Sequence, residues 1–407
     1  MTSAFSTSTT GVRERTKRVP RRPPAERAIG HLDALVPDAH LNAAVAGIRG
    51  LGGAGLSVLA AGPAWTAAGL WSRYTAERAV LPSVVDDAAG YAGRLRELAA
   101  ERGPLVMFPS REETIDAMLA DSSGWDGVIL PFPAARILDR VRDKGRLMRT
   151  ASAAGIDTPE LLFSGPAREL GGSRFGRPVV VKPARPVSTL KTAKLVRDEH
   201  QLDALLEPVA GEEQLLVQER ARGPIVSLEL VLDREGGTAA RFQHVTRRTW
   251  PSAAGSIALA TSVEPDDELV YRTASMLADI GFWGLAQVDF VDTPRGPVLL
   301  DVNPRFYRCL PLAVACGTNL PALWHAVTVG RNLGSPGRYR VGVTYRWLEA
   351  DFAAAARGAP RRLISRAPRP SAGASWAAGD PVPGLLLSGQ AVVDRGLRLT
   401  GLRTHTR

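Results

Sequence analysis

The chain has 407 residues, which is enough for two or three domains with hydrophobic cores of their own. Hydrophobic residues make up 45% of it and no apolar run is long enough for a membrane span, so a folded protein without a membrane partner is expected. The two cysteines, Cys309 and Cys316, cannot build a disulfide scaffold and form no CxxC pair, so we expect a reduced, cytoplasmic setting.

The net charge of +10 is concentrated at the two ends of the chain. Residues 1–27 carry +5, from seven Arg or Lys and two Glu, and residues 331–407 carry +9, from thirteen Arg and four acids. The remaining residues therefore carry 10 − 5 − 9 = −4. Residues 1–27 read as a disordered basic tail. A nucleic-acid partner is disfavoured because no basic groove interleaved with aromatic residues and no base-reading motif is present.

Short strands and helices alternate in the first part of the chain, which indicates an open α/β layer with a mostly parallel sheet. Strands are predicted at 32–36, 56–60, 105–109 and 127–130, and helices at 41–49, 91–102 and 112–121. The glycines of residues 50–55 match GxGxxG, but they follow a predicted helix and lead into a strand. A helix C-cap and a tight turn explain them better than a dinucleotide fingerprint.

A second α/β unit follows a mainly helical stretch at 134–154. Predicted strands lie at 179–183, 195–196, 215–219, 225–232 and 240–246, with helices at 198–206, 265–280 and 310–329. The chain beyond Gly330 is rich in Arg, Pro and Ala and yields no clear elements.

Residues 281–308 predict a β-hairpin that carries acids on one face. Two apolar runs, 285–291 and 297–302, flank a turn-rich segment, and a turn centred on Arg295 places Asp289 directly opposite Asp301. Like charges in such a pair are destabilising, which suggests a cation between them, and Asn303 adds a neutral oxygen on the same face. The alternative is an ordinary half-solvated sheet.

Three further groups are candidates for chemistry. Lys182 ends a buried strand and can project a charge into a cleft, or it can be a snorkelling edge lysine. Glu219 closes the strand LLVQE, where it can accept from an adenine amino group or be an ordinary strand-end acid. Arg247 and Arg248 precede the small-residue loop PSAAGS, which suits a bound anion, although a solvated basic loop competes.

Neither a GxSxG elbow nor a Walker P-loop occurs, and the six histidines lack zinc-site spacing. The order of the remaining motifs resembles the ATP-grasp superfamily, and most closely its ligases of the carbamoyl-phosphate-synthetase type. The resemblance covers roughly residues 28–330. It rests on RDKGRLMRTASAAGIDTPE, RPVVVKP, LLVQERARG, GFWGLAQVDFVD with VLLDVNPRF, and PLAVACGTNLPALWHAVTVG.

The resemblance implies an ATP-grasp fold, α/β and α+β, with an N-terminal Rossmann-like pre-ATP-grasp domain. It implies that Lys144 and Lys182 contact the nucleotide phosphates, and that Val217, Gln218 and Glu219 lie on the adenine side. By the same resemblance Asp289, Asp301 and Asn303 match the ligands of Mg²⁺, with Mn²⁺ as an alternative. Arg305 matches the arginine that steadies the transferred phosphate, and Arg248 is expected to face the same group.

The implied activity is an ATP-dependent ligase that joins a small-molecule carboxylate to an amine or similar nucleophile through an acyl phosphate. Two departures favour the alternative of a nucleotide-binding regulatory or scaffold protein without ligase activity. The group more often has Glu where Asp289 and Asp301 stand, and the loop at 184–194 lacks the expected glycines, leaving Ser188, Thr189, Lys191 and Lys194 as substitute donors.

The predicted domain boundaries divide the chain into five parts, and a homo-oligomer is left open. The parts are a tail at 1–27, the pre-ATP-grasp domain at 28–138, a lid subdomain at 139–220, a subdomain with the metal site at 221–335, and a basic C-terminal extension at 336–407.

Overall fold

In the computed structural model, the described residues are 32–120, 125, 127–185, 188–190, 192–251, 255–359 and 372–399, with side chains as far as residue 393. The predicted tail at 1–27, Lys191, and residues 252–254 beside Arg248 lie outside these ranges.

The N-terminal unit is a parallel sheet with helices around it, as the alternation of short apolar runs predicts. Its strands are β1 (Ala34–Val36), β2 (Val58–Gly62), β3 (Thr75–Val80), β4 (Leu105–Met107) and β5 (Val128–Ile129), and its helices are α1 (Asn42–Gly53), α2 (Ala88–Arg102) and α3 (Glu112–Ala120). The five strands lie in the order β3-β2-β1-β4-β5. Helix α1 ends at Gly53, so the glycines of residues 50–55 do terminate a helix and do not open one.

The predicted helical stretch at 134–154 is two helices, α4 (Ala135–Arg142) and α5 (Lys144–Ala153). The break lies at Asp143, whose side chain accepts a hydrogen bond from the backbone N–H of Arg146 (2.9 Å) and so begins a new helix. The backbone N–H of Lys144 donates to the carbonyl of Ala184 (2.9 Å). This bond holds the start of α5 against the residue that follows the predicted strand at 179–183.

A small antiparallel sheet follows, with a core of its own. It consists of β6 (Leu161–Pro166), β7 (Val179–Pro183), β8 (Lys194–Val196) and β9 (Gln214–Glu219) in the order β6-β9-β7-β8, with α6 (Glu199–Leu206). Its core residues include Leu170, Val179, Val181 and Leu215, all nearly inaccessible to solvent.

The largest sheet has seven strands and is packed on both faces. Its elements are β10 (Ile225–Leu232), β11 (Thr238–Trp250), β12 (Ser256–Ser262), α7 (Asp267–Asp279), β13 (Gly284–Thr293), β14 (Gly296–Asn303), α8 (Leu310–Cys316), α9 (Leu320–Thr328), β15 (Thr344–Arg346), α10 (Leu348–Ala355), β16 (Ala372–Gly373) and α11 (Pro381–Leu399). The strand order is β14-β13-β10-β11-β12-β15-β16. Leu228 and Leu230 pack in one core with α7, while Val231 and Phe242 pack in another with α8 and α9.

The C-terminal extension belongs to the fold rather than trailing from it. Strands β15 and β16 complete the large sheet, and α11 packs through Leu387 on Val45 and Ala68 of the N-terminal unit. Arg49 Nε donates to Asp380 Oδ2 (2.8 Å) just before α11. The predicted boundaries near 138, 220 and 335 stay predictions. Among the described helices, none is long and apolar enough to cross a membrane.

Candidate active site

The hairpin of β13 and β14 has the register that the sequence predicts. Asp289 pairs directly with Asp301, and Gln287 pairs with Asn303, with the turn between Thr293 and Gly296. A bulge follows the aspartate pair, because Phe290 pairs with Leu299 and the intervening Leu300 has no cross-strand partner. The bulge leaves the carbonyl of Leu300 outside the ladder, where it accepts a hydrogen bond from Lys182 Nζ (3.2 Å).

Two lysines from different elements meet at Asp301. Lys144, the first residue of α5, donates from Nζ to Asp301 Oδ1 (2.7 Å). Burial raises the pKa of Asp301, but the charges of Lys144 and Lys182 outweigh that effect and hold the pKa below its usual range. Burial, together with the neighbouring Lys144 charge, lowers the pKa of Lys182 to about 8. The predicted phosphate lysines and the predicted metal ligand thus form one charged cluster.

Asp289 lies in a different electrostatic environment, although it faces Asp301. Its Oδ1 accepts from the Ser227 hydroxyl (2.6 Å), and Ser227 pairs with it across β10 and β13. Burial raises the pKa of Asp289 to about 6, and the charge of Asp301 adds to the shift. A cation between the two carboxylates would offset both causes, and two carboxylates with an amide oxygen form a donor set that Mg²⁺ accepts. The residues present therefore fit the predicted metal.

Arg305 is held by three acceptors just beyond the hairpin, one of which is the carbonyl of Phe306, 3.2 Å from Nη1. Its Nη2 donates to Asn303 Oδ1 (2.8 Å) and its Nε donates to Glu112 Oε1 (2.6 Å). Glu112 begins α3 and also accepts from Arg142 Nε (2.8 Å), so it fixes two guanidinium groups. The N-terminal unit thereby positions the arginine that follows the metal-site strand.

The predicted adenine-side residues lie on β9 of the small sheet. Val217 is fully buried, and Gln218 donates to the sulfur of Met148 (2.7 Å). Glu219 forms an ion pair with Arg177 (3.2 Å), in which both side chains are nearly half exposed. Glu219 pairs with Val179 and Leu216 pairs with Lys182. Glu219 therefore lies about 10 Å along the strand pair from Lys182, at about 3.3 Å per residue.

Arg248, the last of the predicted site residues, contacts the C-terminal extension. Its Nη2 donates to Asp351 Oδ1, and Arg346 Nε donates to the other oxygen of the same carboxylate (2.6 Å). Asp351 is 1% exposed, so two arginines compensate one buried charge. The structure brings together Lys144, Lys182, Asp289, Asp301, Asn303 and Arg305. The predicted role of Arg248 stays a prediction.

Three polar residues at the site were not predicted from the sequence. Ser227 and Glu229 are alternate polar positions in the apolar strand IVSLELVL, a pattern that marks one polar face and could have been recognised. Glu229 forms a fully buried pair with His244, with 3.0 Å between Oε1 and Nδ1. Burial lowers the pKa of His244, but the Glu229 carboxylate outweighs this and holds the pKa well above its usual value. Glu112 gave no sequence signal beyond its place at the start of a helix.

Comparison with known proteins identifies the class to which this fold and charged hairpin belong. Residues 211–350 match a family described as ATP-grasp in the biosynthetic pathway with Ter operon. The D-alanine–D-alanine ligase of Corynebacterium urealyticum is 30% identical over 262 residues, covering 55% of this chain and 71% of that ligase. The carbamoyl phosphate synthase large chain of Haemophilus ducreyi is 23% identical over 226 residues, but the match spans only 21% of that protein.

Solved structures agree on the fold. N5-carboxyaminoimidazole ribonucleotide synthetase with ADP superposes with a TM-score of 0.61 at 13% identity, covering 82% of this chain and 85% of that one. The biotin carboxylase domain of Hydrogenobacter thermophilus 2-oxoglutarate carboxylase, with MgADP and bicarbonate, gives 0.58 at 16% identity, covering 77% and 73%. This chain belongs to the ATP-grasp superfamily. The predicted ATP-grasp fold is confirmed, and the predicted ligase class is confirmed at the level of that superfamily.

Proposed function

We propose that the protein joins a small-molecule carboxylate to an amine, forming ADP and phosphate. The observation that carries this proposal is the convergence of Lys144 and Lys182 on the Asp289–Asp301 pair. Opposed carboxylates flanked by lysines suit a divalent cation and the phosphates of a nucleotide. ATP would phosphorylate the carboxylate, and the amine would displace phosphate from the acyl phosphate.

The residues of the cleft take distinct roles in this proposal. Asp289, Asp301 and Asn303 would hold Mg²⁺ or Mn²⁺, which supplies charge neutralisation at the phosphates when bound. Lys144 and Lys182 would then contact phosphate oxygens, so that Lys144 exchanges its present partner, Asp301, for the nucleotide.

Arg305 is the catalytic residue in this proposal, because its fork is fixed by Asn303 and Glu112 beside the hairpin. A preorganised cation there stabilises charge that develops on the transferred phosphoryl group without reorganising during the reaction. Arg248, the second arginine predicted at the transferred phosphate, also forms an ion pair with Asp351, and its part in the reaction stays a prediction. The adenine would lie beside Val217, Gln218 and Glu219, on the strand next to that of Lys182.

The decisive experiment replaces Asn303 by Ala and measures ADP release across a panel of small carboxylates and amines, with product mass as a second readout. We expect carboxylate-dependent ADP release to fall by about 10²-fold or more, since both a metal oxygen and a partner of Arg305 are lost. Asn332→Ala is the matched control, because Asn332 is exposed and only accepts from the backbone of Gly334. Unchanged turnover in the Asn303 variant would refute the assignment.

A nucleotide-binding regulator without ligase activity is the second candidate. The observation in its favour is that Lys144 already neutralises Asp301, so the carboxylate has a partner without a metal. Calorimetry distinguishes the two candidates. ATP binding with no ADP formed across the whole panel would favour the regulator, whereas turnover with any acid and amine pair would exclude it.

A further inference from the structure

The C-terminal helix α11 presents an apolar face to solvent. Its side chains are described for residues 381–393, and every exposed residue among them is apolar. Val382, Leu385, Val392 and Val393 are between 43% and 71% exposed. Their spacing in the sequence places all four on one face of the helix. A surface helix ordinarily presents polar side chains to water, so the outer face of α11 has the character of a contact surface.

The polar side chains of α11 face the protein instead. Ser388 Oγ donates to Glu349 Oε1 of α10 (2.9 Å), and Gln390 Nε2 donates to the carbonyl of Thr66 (3.1 Å). Leu387 packs on the N-terminal unit from the same side. The inner face of α11 therefore holds the helix on the molecule, and the outer apolar side chains take no part in that attachment.

Two tryptophans extend this surface. Thr66, which accepts from Gln390, follows Trp65 in an exposed loop after β2. Trp65 is 59% exposed and Trp71 is 44% exposed, and Trp71 Nε1 donates to the carbonyl of Trp65 (2.7 Å). Both tryptophans thus belong to the segment on which α11 packs. The α11 patch is defined here as Trp65, Trp71, Val382, Leu385, Val392 and Val393.

Arginines border the α11 patch. The guanidinium of Arg78 lies over the ring of Trp71, 5.1 Å from its centroid. Arg73 Nη1 donates to the carbonyl of Gly379 (3.2 Å), just before α11. Both arginines are exposed. Residues 394–407 add four Arg and one Asp to the sequence, a net charge of 4 − 1 = +3. A surface that covers the patch is therefore expected to be apolar with negative charge at its edge.

We propose that the α11 patch binds the surface of an anionic lipid membrane, with α11 lying in the plane of the interface. A helix of this kind buries its apolar face at the boundary between headgroups and acyl chains, and nearby arginines attract acidic headgroups. Tryptophan rings favour the same boundary. The expectation of a protein without a membrane partner rests on the absence of a spanning run, and a helix that lies on the surface needs no such run.

A second copy of the chain fits the α11 patch less well than a membrane does. It would bring a second set of the same arginines to the contact, and like charges across an interface oppose association. Two acids adjoin α11, but both have partners already: Glu349 accepts from Ser388 (2.9 Å), and Asp380 accepts from Arg49 (2.8 Å). Acidic lipid headgroups supply the opposite charge that a second copy does not.

The test is flotation of the full chain with lipid vesicles, and it does not involve the ligase reaction. Phosphatidylcholine vesicles with about one-third phosphatidylserine should bind the protein about tenfold or more tightly than pure phosphatidylcholine, and raising the salt from about 0.1 M to about 0.5 M should weaken that binding. Leu385→Glu combined with Val392→Glu should lower the partition coefficient about tenfold or more, since two charges would enter the apolar contact. Val341→Glu is the matched control, because Val341 is 45% exposed but precedes β15 and lies outside the α11 patch.

Two further measurements separate membrane binding from loss of the fold and from self-association. The unfolding temperature of the double variant should stay within about 2 °C of that of the unsubstituted protein, because both replaced side chains are exposed. Sedimentation without vesicles should give the same mass for both proteins. A dimer that the double variant dissociates would assign the patch to a second copy and overturn the proposal. Absence of binding to the anionic vesicles, equal binding to both vesicles, or an unchanged partition coefficient in the double variant would also overturn it.

Discussion

Asp301 lies in the edge strand β14 and Asp38 follows the central strand β1, and their environments shift the pKa values of the two carboxyls in opposite directions. Asp301 lies within hydrogen-bond distance of Lys144 and beside Lys182, so its pKa is held below the usual range despite burial. Asp38 accepts from the Thr114 hydroxyl, and burial outweighs both this hydrogen bond and the charge of Arg111, so its pKa rises to about 6. The difference shows that nearby cations outweigh the effect of burial at Asp301, whereas burial outweighs them at Asp38.

The largest expected effect is on the pH dependence of stability, and it concerns Asp38. A folded-state pKa of about 6 against the ordinary 3.8 means that the native protein binds more protons than the unfolded chain between these values. The stability contributed by protonated Asp38 is present below pH 3.8 and is lost as pH rises through 6. Ionisation should cost about 3 kcal/mol at pH 8, since each pKa unit is worth about 1.4 kcal/mol.

Comparing Asp38→Asn with the unsubstituted protein isolates this effect, because the other titrating acids are common to both. The free energy of unfolding of the unsubstituted protein, measured in urea from pH 4 to pH 8, should fall relative to the variant by about 2.4 kcal/mol, because part of the effect lies below pH 4. A difference between the two proteins that stays constant with pH would show that Asp38 is compensated in solution.

The next largest effect concerns Asp301, and it is tested by removing the nearest cation, Lys144. Lys144→Met keeps the length of the side chain, which is 11% exposed, but leaves the carboxylate without its nearest partner. We expect a loss of about 1–3 kcal/mol in the free energy of unfolding, because Asp301 is one-third exposed and can be partly hydrated. The pKa of Asp301 should rise towards its ordinary value, which NMR titration would show.

Lys194→Met is the control for this prediction, since Lys194 is an exposed lysine on β8 of the small sheet. Combining Lys144→Met with Asp301→Asn should cost less than the sum of the two single losses, because the pair acts as a unit. Strict additivity would mean that the ion pair contributes nothing to the stability of the hairpin.

The two acids also differ in how far the sequence revealed them. Asp301 was found because hairpin register follows from a short turn and from alternation over two strands, which are local properties. The bulge at Leu300 was not found, because an extra residue in one strand leaves the apolar pattern of the hairpin nearly intact. The superfamily was recognised from five motifs in order, each weak alone, and the ATP-site residues that those motifs imply stay predictions.

The features that could not be predicted from the sequence depend on contacts between residues that are far apart in the chain. Asp38 is a single polar residue that follows a short strand. Its surroundings come from residues that follow four different strands, which only the folded structure brings together. Arg248 donates to Asp351, about a hundred residues further along the chain, and no local pattern indicates that contact. The C-terminal extension, with its pairing of Arg49 and Asp380, gave no pattern because its strands are two or three residues long.

The smallest effect concerns Glu219, a third acid at a strand end, where solvent rather than burial governs the charge. Its ion pair with Arg177 is nearly half exposed, so Glu219→Gln should change the free energy of unfolding by less than about 0.5 kcal/mol. If its carboxylate accepts from the adenine amino group, the same variant should bind ATP about tenfold more weakly, as expected for a charged hydrogen bond. Glu160→Gln is the matched control, since Glu160 shares Arg177 (3.0 Å) and is more exposed. Calorimetric ATP affinity that is unchanged in Glu219→Gln, or reduced equally in Glu160→Gln, would leave Glu219 as a surface ion pair and place the adenine contacts on Val217 and Gln218 alone.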